Sequence, residues 1–462
     1  MAKPSSAPSR LRQPEWLRQF GRRLKVARTR AGLSQQQLAA PDLSKSFVSL
    51  LESARSYPSV ETAIALAERT HSSVASLLLD PVSLRLETAL NLLHLAWGMD
   101  LARHSSDALQ IAASAELLAP DMPVELRVRS MLVRSRVAMA TGRMEDGARL
   151  ADEAVTLARR HHLDSALGRA LTVRGIADER RGEFQAAAAT LEQALEVMRR
   201  SKSIASEEGA WAFLSLAAVR WRTSQIDGAQ TAYQQALEKA TAVQLPRLRG
   251  RALTGLGIVA WKRQQFDPAV DFFSQAYAVF EEIEDLAEMG RVLNNLGQVR
   301  RTQGLHAEAL SVLGTALRIR EREGDVRGRS ATLDELAQVF LALGRLDEAT
   351  DASRRAVADA KAAGDQAREA VVKVTLARVL RRQHDQQQAL DLLHDAVATL
   401  IRLGMTKEAA SASAELGLML TEAGKREEAT DYLVKALTLP ASRVSTPPDD
   451  AVDRWETEPH GT

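Results

Sequence analysis

The sequence predicts an all-α protein in which a small N-terminal module of five helices precedes a long array of helix pairs. Two observations support this fold class. Hydrophobic residues make up 45% of the 462 residues but aromatic residues only 4%, with 25 Gly and 14 Pro, a composition that favours helix over sheet. A turn motif, Gly-x-apolar-x-x-Ala, also returns about every forty residues, as in stacked helical repeats.

Charge is divided unevenly along the chain. Residues 1–80 hold twelve Lys or Arg against six Asp or Glu, a net charge of +6, whereas residues 81–462 hold 49 against 53, a net charge of −4. A basic module ahead of a slightly acidic body indicates that contact with nucleic acid is confined to the first part. The alternative is that these basic residues form a solvated face and nothing more.

Several function classes are excluded. The absence of cysteine rules out disulfides, thiolate zinc sites and a Cys nucleophile. No phosphate-binding glycine loop, G-x-S-x-G motif or metal-ligand set occurs, so we expect neither an enzyme nor a cofactor. No apolar run reaches the roughly 20 residues of a membrane span and the N-terminus lacks a signal-peptide core, so we expect a cytoplasmic protein without a membrane partner.

The first helix of the N-terminal module is predicted over about Glu15–Arg30. Its apolar stripe has helical spacing and consists of Leu17, Phe20, Leu24 and Ala27. Its other face carries basic residues, namely Arg18, Arg22, Arg23, Lys25 and Arg28. After Gly32, the pair Ser34 and Gln37 forms a capping box that starts a second, short helix, which Pro41 stops.

A third helix, from Lys45 to Ser53, is capped by Ser44 and follows after a turn of only a few residues. Two short helices joined in this way are what a helix-turn-helix requires. The outward-facing residues of the third helix are Lys45, Ser46 and Ser49. Ser59 caps a fourth helix, and apolar residues from Val74 to Leu79 close the small core.

Between Phe20 and Leu79 the residues resemble the Xre group of phage-repressor and Cro-like helix-turn-helix domains. The resemblance rests on G-L-S-Q-Q-Q-L-A from Gly32, S-K-S-F-V-S-L-L-E from Ser44, and Pro58-Ser59 at the start of the fourth helix. It implies double-stranded operator DNA as a partner. The DNA-binding residues that it implies are Gln35 and Arg55 on phosphates and Ser44, Lys45, Ser46 and Ser49 at the start of the third helix.

Two positions depart from the family pattern. The turn before Ser44 is one residue shorter than usual and contains Pro41, and Ala54 stands where a glycine is expected. Glu52 is interpreted as structural, because an acid near DNA phosphates must pair locally, for example with an arginine of the first helix. The alternative for the whole module is a vestigial helix-turn-helix that serves as a protein-docking bundle.

Residues 86–438 divide into nine units of about forty residues. The turn motif is clearest at Gly182 and Gly344. In every unit the residues seven before the turn, five after it and seven further on are Ala, Gly or Ser, as with Gly257, Ala269 and Ala276. Small side chains at these 27 positions let antiparallel helices approach closely and let the next pair nest against them.

These offsets resemble the tetratricopeptide repeat (TPR) in its forty-residue form. The resemblance implies a superhelix whose first helices line a concave channel that binds peptides, partner proteins or a second copy. The candidate ligand-binding residues in the central units are Arg251, Trp261, Arg291, Asn294 and Asn295. Amides suit a peptide backbone and arginine suits a carboxylate. Alternatively, the tryptophans pack between units and Asn295-Leu296-Gly297 is a common repeat sequence.

An Xre head joined to a TPR body resembles the peptide-pheromone receptors of Gram-positive bacteria. It implies a homodimeric transcription regulator in quorum sensing, with a peptide effector in the channel. Of the 61 basic residues 50 are Arg, a bias usual for GC-rich genomes, so a small-molecule or protein effector stays open. The alternative is a TPR interaction scaffold whose head serves localisation or docking.

The predicted domain division has four parts. A flexible N-terminus covers residues 1–14, the helix-turn-helix domain 15–80, the TPR superhelix 86–438, and a flexible tail 440–462. The two ends are polar and rich in proline, so they are predicted to have no fold of their own.

Overall fold

The protein is described by a computed structural model that covers residues 15–78, 81–99 and 101–439. Within these ranges the regular structure is helical throughout, which confirms the predicted all-α class. The predicted flexible ends, 1–14 and 440–462, lie outside the described residues. The described residues form two compact units, one made of residues up to 99 together with 106–133 and the other of 101–105 together with 134–439. The predicted domain boundary between residues 80 and 86 stays a prediction.

The N-terminal module has the five predicted helices, named α1 to α5. They are α1 Glu15–Arg30, α2 Gln35–Ala39, α3 Lys45–Glu52, α4 Val60–Arg69 and α5 Val74–Leu78. The capping box at the start of α2 is present: the Ser34 hydroxyl accepts from the Gln37 amide, and the Gln37 side chain accepts from the Ser34 amide. Phe20, Leu24 and Leu66 are among the buried side chains that join these helices into one small core.

Eighteen further helices follow in the described residues, in keeping with nine predicted pairs. They are α6 Pro81–Gly98, α7 Leu101–Leu118, α8 Val124–Ala140, α9 Met144–Arg160, α10 Asp164–Arg180, α11 Phe184–Arg200, α12 Glu207–Arg222, α13 Ile226–Ala242, α14 Pro246–Lys262, α15 Phe266–Glu282, α16 Leu286–Thr302, α17 His306–Glu323, α18 Val326–Ala342, α19 Leu346–Ala362, α20 Gln366–Arg382, α21 Gln386–Arg402, α22 Thr406–Glu422 and α23 Arg426–Thr438. In the first pair the backbone of α7 is non-helical at His104.

The small residues that define the repeat are buried. Of the 27 predicted positions 26 are buried, and the exception is Ala436 in the last helix, which is half-buried. At several of these positions there is no room even for a Cβ atom. A Cβ added to Gly257 would lie 2.7 Å from the Phe273 ring, and one added to Gly297 would lie 2.5 Å from Leu313. The repeat register predicted from the sequence is therefore correct.

The turns within the helix pairs use a left-handed residue at the predicted position. From the second pair to the ninth, all eight turn residues have positive φ, between 60° and 80°. Five of them are glycine, for which this conformation is unstrained, and the other three are Ser224, Gln264 and His384. Non-glycine residues in this region carry backbone strain.

Replacing Gln264 with glycine is expected to stabilise the array by about 0.5–1 kcal/mol, because φ at this residue is +61°. Its neighbour supplies a matched control. Gln265 has a φ of −89°, so Gln265→Gly gains nothing in the folded chain and lowers stability. The midpoints of urea denaturation measure both, and a Gln264→Gly midpoint at or below that of the unchanged chain contradicts the expectation.

The first helices of the pairs form one side of the array in the second unit. Consecutive first helices α10, α12, α14, α16, α18 and α20 contact one another, whereas contacts between consecutive second helices are sparser among the described residues. In a curved stack the helices on the concave side lie closest together. We call the side formed by these first helices the channel face.

Candidate DNA-reading surface and channel site

The third helix is held by its buried face and presents its N-terminal end outward. Val48 and Leu51 are fully buried against the core of the module. Lys45, Ser46 and Ser49 are exposed, as predicted. Ser44, also exposed, is the N-cap, and its hydroxyl accepts from the Phe47 amide at 3.0 Å, so Ser44 has a structural role in addition to the predicted one.

Glu52, the acid of α3, pairs inside the module, which confirms its structural interpretation. The Arg28 guanidinium of α1 donates to both carboxylate oxygens, with Nε to Oε1 at 2.5 Å and Nη2 to Oε2 at 3.1 Å. The Gln35 amide of α2 donates to Oε2 at 2.8 Å. This network ties α1, α2 and α3 together. It engages one N–H of Gln35, the residue predicted to hold a phosphate.

Two arginines of the module donate hydrogen bonds to backbone carbonyl oxygens at helix ends. Arg69 donates to the Leu38 carbonyl at 3.0 Å, at the end of α2. Arg23 donates to the Leu77 carbonyl at 2.9 Å and to that of Leu78 at 2.6 Å, at the end of α5. Sequence reasoning placed Arg23 on the basic outer face and assigned no role to Arg69. Long-range contacts of this kind leave no local pattern.

The missing glycine is accommodated. Ala54 has a φ of +58°, the conformation for which the family uses glycine, and its side chain is buried. Arg55, which follows it, is exposed, as are Arg22 and Lys25 on α1. The module therefore exposes basic residues on α1 and after the end of α3, in addition to Lys45 at its start.

On the channel face, consecutive repeats are joined by ion pairs between first helices or their N-caps. These pairs are Arg169–Glu208, Glu179–Arg222, Arg247–Asp285, Arg251–Glu288, Arg301–Glu335, Arg327–Asp365, Arg378–Glu415 and Arg381–Glu422. Most place an arginine of one repeat against an acid of the next. They link adjacent repeats along the channel face, in addition to the apolar core that the repeats share.

The predicted ligand residues Arg251 and Arg291 meet at Glu288, a residue that sequence reasoning missed. Arg251 Nε donates to Glu288 Oε1 at 2.6 Å, and Arg291 Nε donates to Oε2 at 2.9 Å. Burial alone raises the pKa of Glu288, but Arg291, Arg251 and Arg247 outweigh it and lower that pKa to about 2. Burial lowers the pKa of Arg251, against the opposing effect of Glu288.

The two adjacent asparagines lie one turn further along α16 and are completely buried, with 0% and 1% of their surface exposed. Asn294 Oδ1 accepts from the Thr332 hydroxyl at 3.0 Å. Its Nδ2 and both amide atoms of Asn295 have no hydrogen-bond partner among the described residues. Leaving a buried amide unsatisfied costs about 1–3 kcal/mol. Next to them Gln298 donates to Glu335 at 2.9 Å.

The tryptophans of the central units divide between packing and the channel. Trp221 is buried in the array core. Trp211 and Trp261 are half-buried and pack against that core. The Arg251 guanidinium also lies over the Trp211 ring, 5.6 Å from its centre, and so links α14 to α12.

Neither a cluster of metal-ligating side chains nor a helix able to cross a membrane occurs in the part of the chain that the structure describes. No group of three or more His, Asp or Glu side chains there could hold a metal ion. No helix in these ranges combines the length and apolar character needed to cross a membrane.

Comparison with known proteins places both parts of the chain. A helix-turn-helix domain family matches residues 19–75, and the MalT-like TPR region matches residues 130–443. No curated protein sequence matches the chain.

Solved structures share the array fold. The apo form of the quorum sensor NprR from B. thuringiensis has 15% identity and a TM-score of 0.59, over 79% of this chain and 99% of that one. The apo form of RapI has 16% identity and a TM-score of 0.59, over 78% and 97%. A Rap protein complexed with Competence and Sporulation Factor has 17% identity and a TM-score of 0.50, over 75% and 99%.

The similarities to solved structures establish the fold alone, whereas the TPR family model covers more than half of the chain. The chain therefore belongs to the family with a MalT-like TPR region and carries a helix-turn-helix domain at its N-terminal end.

Proposed function

We propose that this protein is a sequence-specific transcription regulator of the Xre type, acting in the cytoplasm as a homodimer. Its head reads operator DNA, and its repeats dimerise and bind an effector that changes operator affinity. We propose a peptide as the effector. A small molecule and a protein are the two other classes of effector that the proposal allows. A peptide effector makes this a quorum-sensing regulator. The observation that carries the proposal is the exposed N-terminal end of α3, which begins with Lys45 and is held in the helix-turn-helix by its buried face.

The DNA contacts follow from this end of α3. Lys45 and Ser46 are assigned to base edges in the major groove, with Ser49 within reach, and Arg55 to the phosphate backbone. Gln35 is also assigned to a phosphate. One N–H of its side-chain amide donates to Glu52, and the other N–H can donate to the phosphate. Arg28 pairs with Glu52 and so reduces the repulsion between this carboxylate and a phosphate held by Gln35.

The effector site is assigned to the channel face around Arg251, Trp261, Arg291, Asn294 and Asn295. What supports this is the buried, unsatisfied amide of Asn295, which suits the donor and acceptor of a peptide bond. A solved structure with the same array fold, the Rap protein complexed with Competence and Sporulation Factor, also supports this assignment.

A homodimer is expected because one head of this size buries too little DNA for tight, specific binding. Two heads read two half-sites about 34 Å apart. Sedimentation of the full chain at micromolar concentration is expected to give about twice the chain mass of 50.4 kDa. If the full chain sediments as a monomer in the absence of DNA, the repeats are not the part of the chain that holds a dimer together.

Selection of bound fragments from genomic DNA tests the regulator itself. The expected result is a palindromic sequence whose half-sites are separated by about one helical turn. Fragments without any shared sequence would instead support the interaction scaffold, in which the head localises or docks the repeats.

A further inference from the structure

Glu288 occupies the position that an effector carboxylate is expected to take. Arg251 and Arg291 both donate to it, and the three side chains are between 5% and 7% exposed. Paired guanidinium groups suit a carboxylate through several charge-assisted hydrogen bonds. The protein thus supplies its own anion to a site whose chemistry would recognise an external one.

This internal carboxylate also joins repeats. Glu288 and Arg291 lie on α16, Arg251 lies on α14, and the Arg251 guanidinium covers the Trp211 ring of α12. A single side chain therefore completes a chain of contacts across three successive repeats. Removing its carboxylate from Arg251 breaks this link between α14 and α16 and leaves the Arg247–Asp285 ion pair between α14 and the N-cap of α16.

The site is richer in arginine than in acids. Arg247, Arg251 and Arg291 lie in one cluster with two acids, Glu288 and Asp285. A carboxylate that takes the place of Glu288 on Arg251 and Arg291 therefore meets the same arginines that now hold Glu288.

We propose that the Arg251–Arg291 pair is a carboxylate-binding site that Glu288 fills as an internal ligand, and that the carboxylate of an acidic effector binds there by displacing it. This inference rests on the proposed effector function of the channel. The displaced Glu288 no longer bridges α14 and α16, so binding alters the rotation between these repeats. The ligand class is an organic carboxylate, either a peptide C-terminus or a small acid.

Chemical rescue tests the site in the full-length chain. Glu288→Ala removes a fragment of the size of acetate and is expected to lower the melting temperature by at least about 5 °C in sodium chloride. Sodium acetate at about 100 mM and equal ionic strength is expected to recover at least half of that loss, saturably. The unchanged chain should melt within about 1 °C in the two salts, because Glu288 already fills its site.

Two further variants separate binding from a general salt effect and from misfolding. Glu288→Gln keeps the side-chain volume and is expected to fold, and acetate should still raise its melting temperature, because the neutral side chain is easier to displace. Adding Arg291→Met to Glu288→Gln is expected to abolish the acetate effect. In Glu288→Gln, which has no acetate-sized hole, a larger rise in melting temperature with N-acetylglycine than with acetate identifies a peptide C-terminus, and the reverse identifies a small acid.

The proposal is overturned if acetate and chloride act alike on both Glu288 variants, or if the effect persists without Arg291. The thermal readout needs neither operator nor effector. A failure here therefore leaves operator binding untouched, and a failure of operator binding leaves the carboxylate site standing.

Discussion

Lys45→Ala is expected to weaken binding to the cognate operator at least about 30-fold. A base contact of this kind carries about 1–3 kcal/mol, and a dimer loses it at both half-sites. The side chain is exposed at the first residue of α3, so its removal leaves the core intact. Titration of the protein against operator and random duplexes at fixed salt measures the loss, which should be small on random DNA.

Two other basic residues serve as controls for this result. Arg55→Ala is expected to weaken binding to both DNAs and to reduce the salt dependence, because a phosphate contact carries no sequence information. Lys25→Ala removes the same charge as Lys45→Ala from an exposed position on α1, and should leave the preference for the operator unchanged. Equal losses on operator and random DNA for Lys45→Ala would show that α3 does not enter the groove by this end.

Local signals were sufficient to predict most of the fold. The cap Ser44 and the turn glycine Gly182 act on the residues beside them, and the small repeat positions are set by helix packing that recurs every forty residues. Helix limits therefore agree closely: α1 has the predicted bounds, and α3 ends at Glu52, one residue before the predicted Ser53.

The site was predicted only in part, because its electrostatics are not local. Glu288 reads in the sequence as an ordinary acid in the first turn of a helix, whereas its partner Arg251 lies 37 residues earlier. The pairs Gln298–Glu335 and Arg378–Glu415 have the same separation of 37 residues. A search for opposite charges about one repeat length apart would have found Glu288. The unsatisfied amide of Asn295 depends on packing, and no sequence signal reports it.

Asn295→Leu is expected to stabilise the effector-free protein and at the same time to remove its response to the effector. Leucine has the same branched arrangement of heavy atoms as asparagine and leaves no buried polar group unsatisfied, so the free energy of unfolding should rise by about 1–3 kcal/mol. The effector loses a donor and an acceptor, which should weaken its binding about 30-fold or more.

Urea denaturation measures the first effect, and operator binding with and without an extract of the native cells measures the second. Gln298→Leu is the matched control on the same helix. Its amide donates to Glu335, so the same substitution there deprives a buried carboxylate of a partner and should destabilise the array. The expected outcome is that Asn295→Leu gains stability and loses the response to the effector, whereas Gln298→Leu loses stability. This combination would show that the Asn295 amide serves to bind a ligand and not to stabilise the fold. A full response in Asn295→Leu would instead exclude the channel as the sensor and leave the repeats as a dimerisation scaffold.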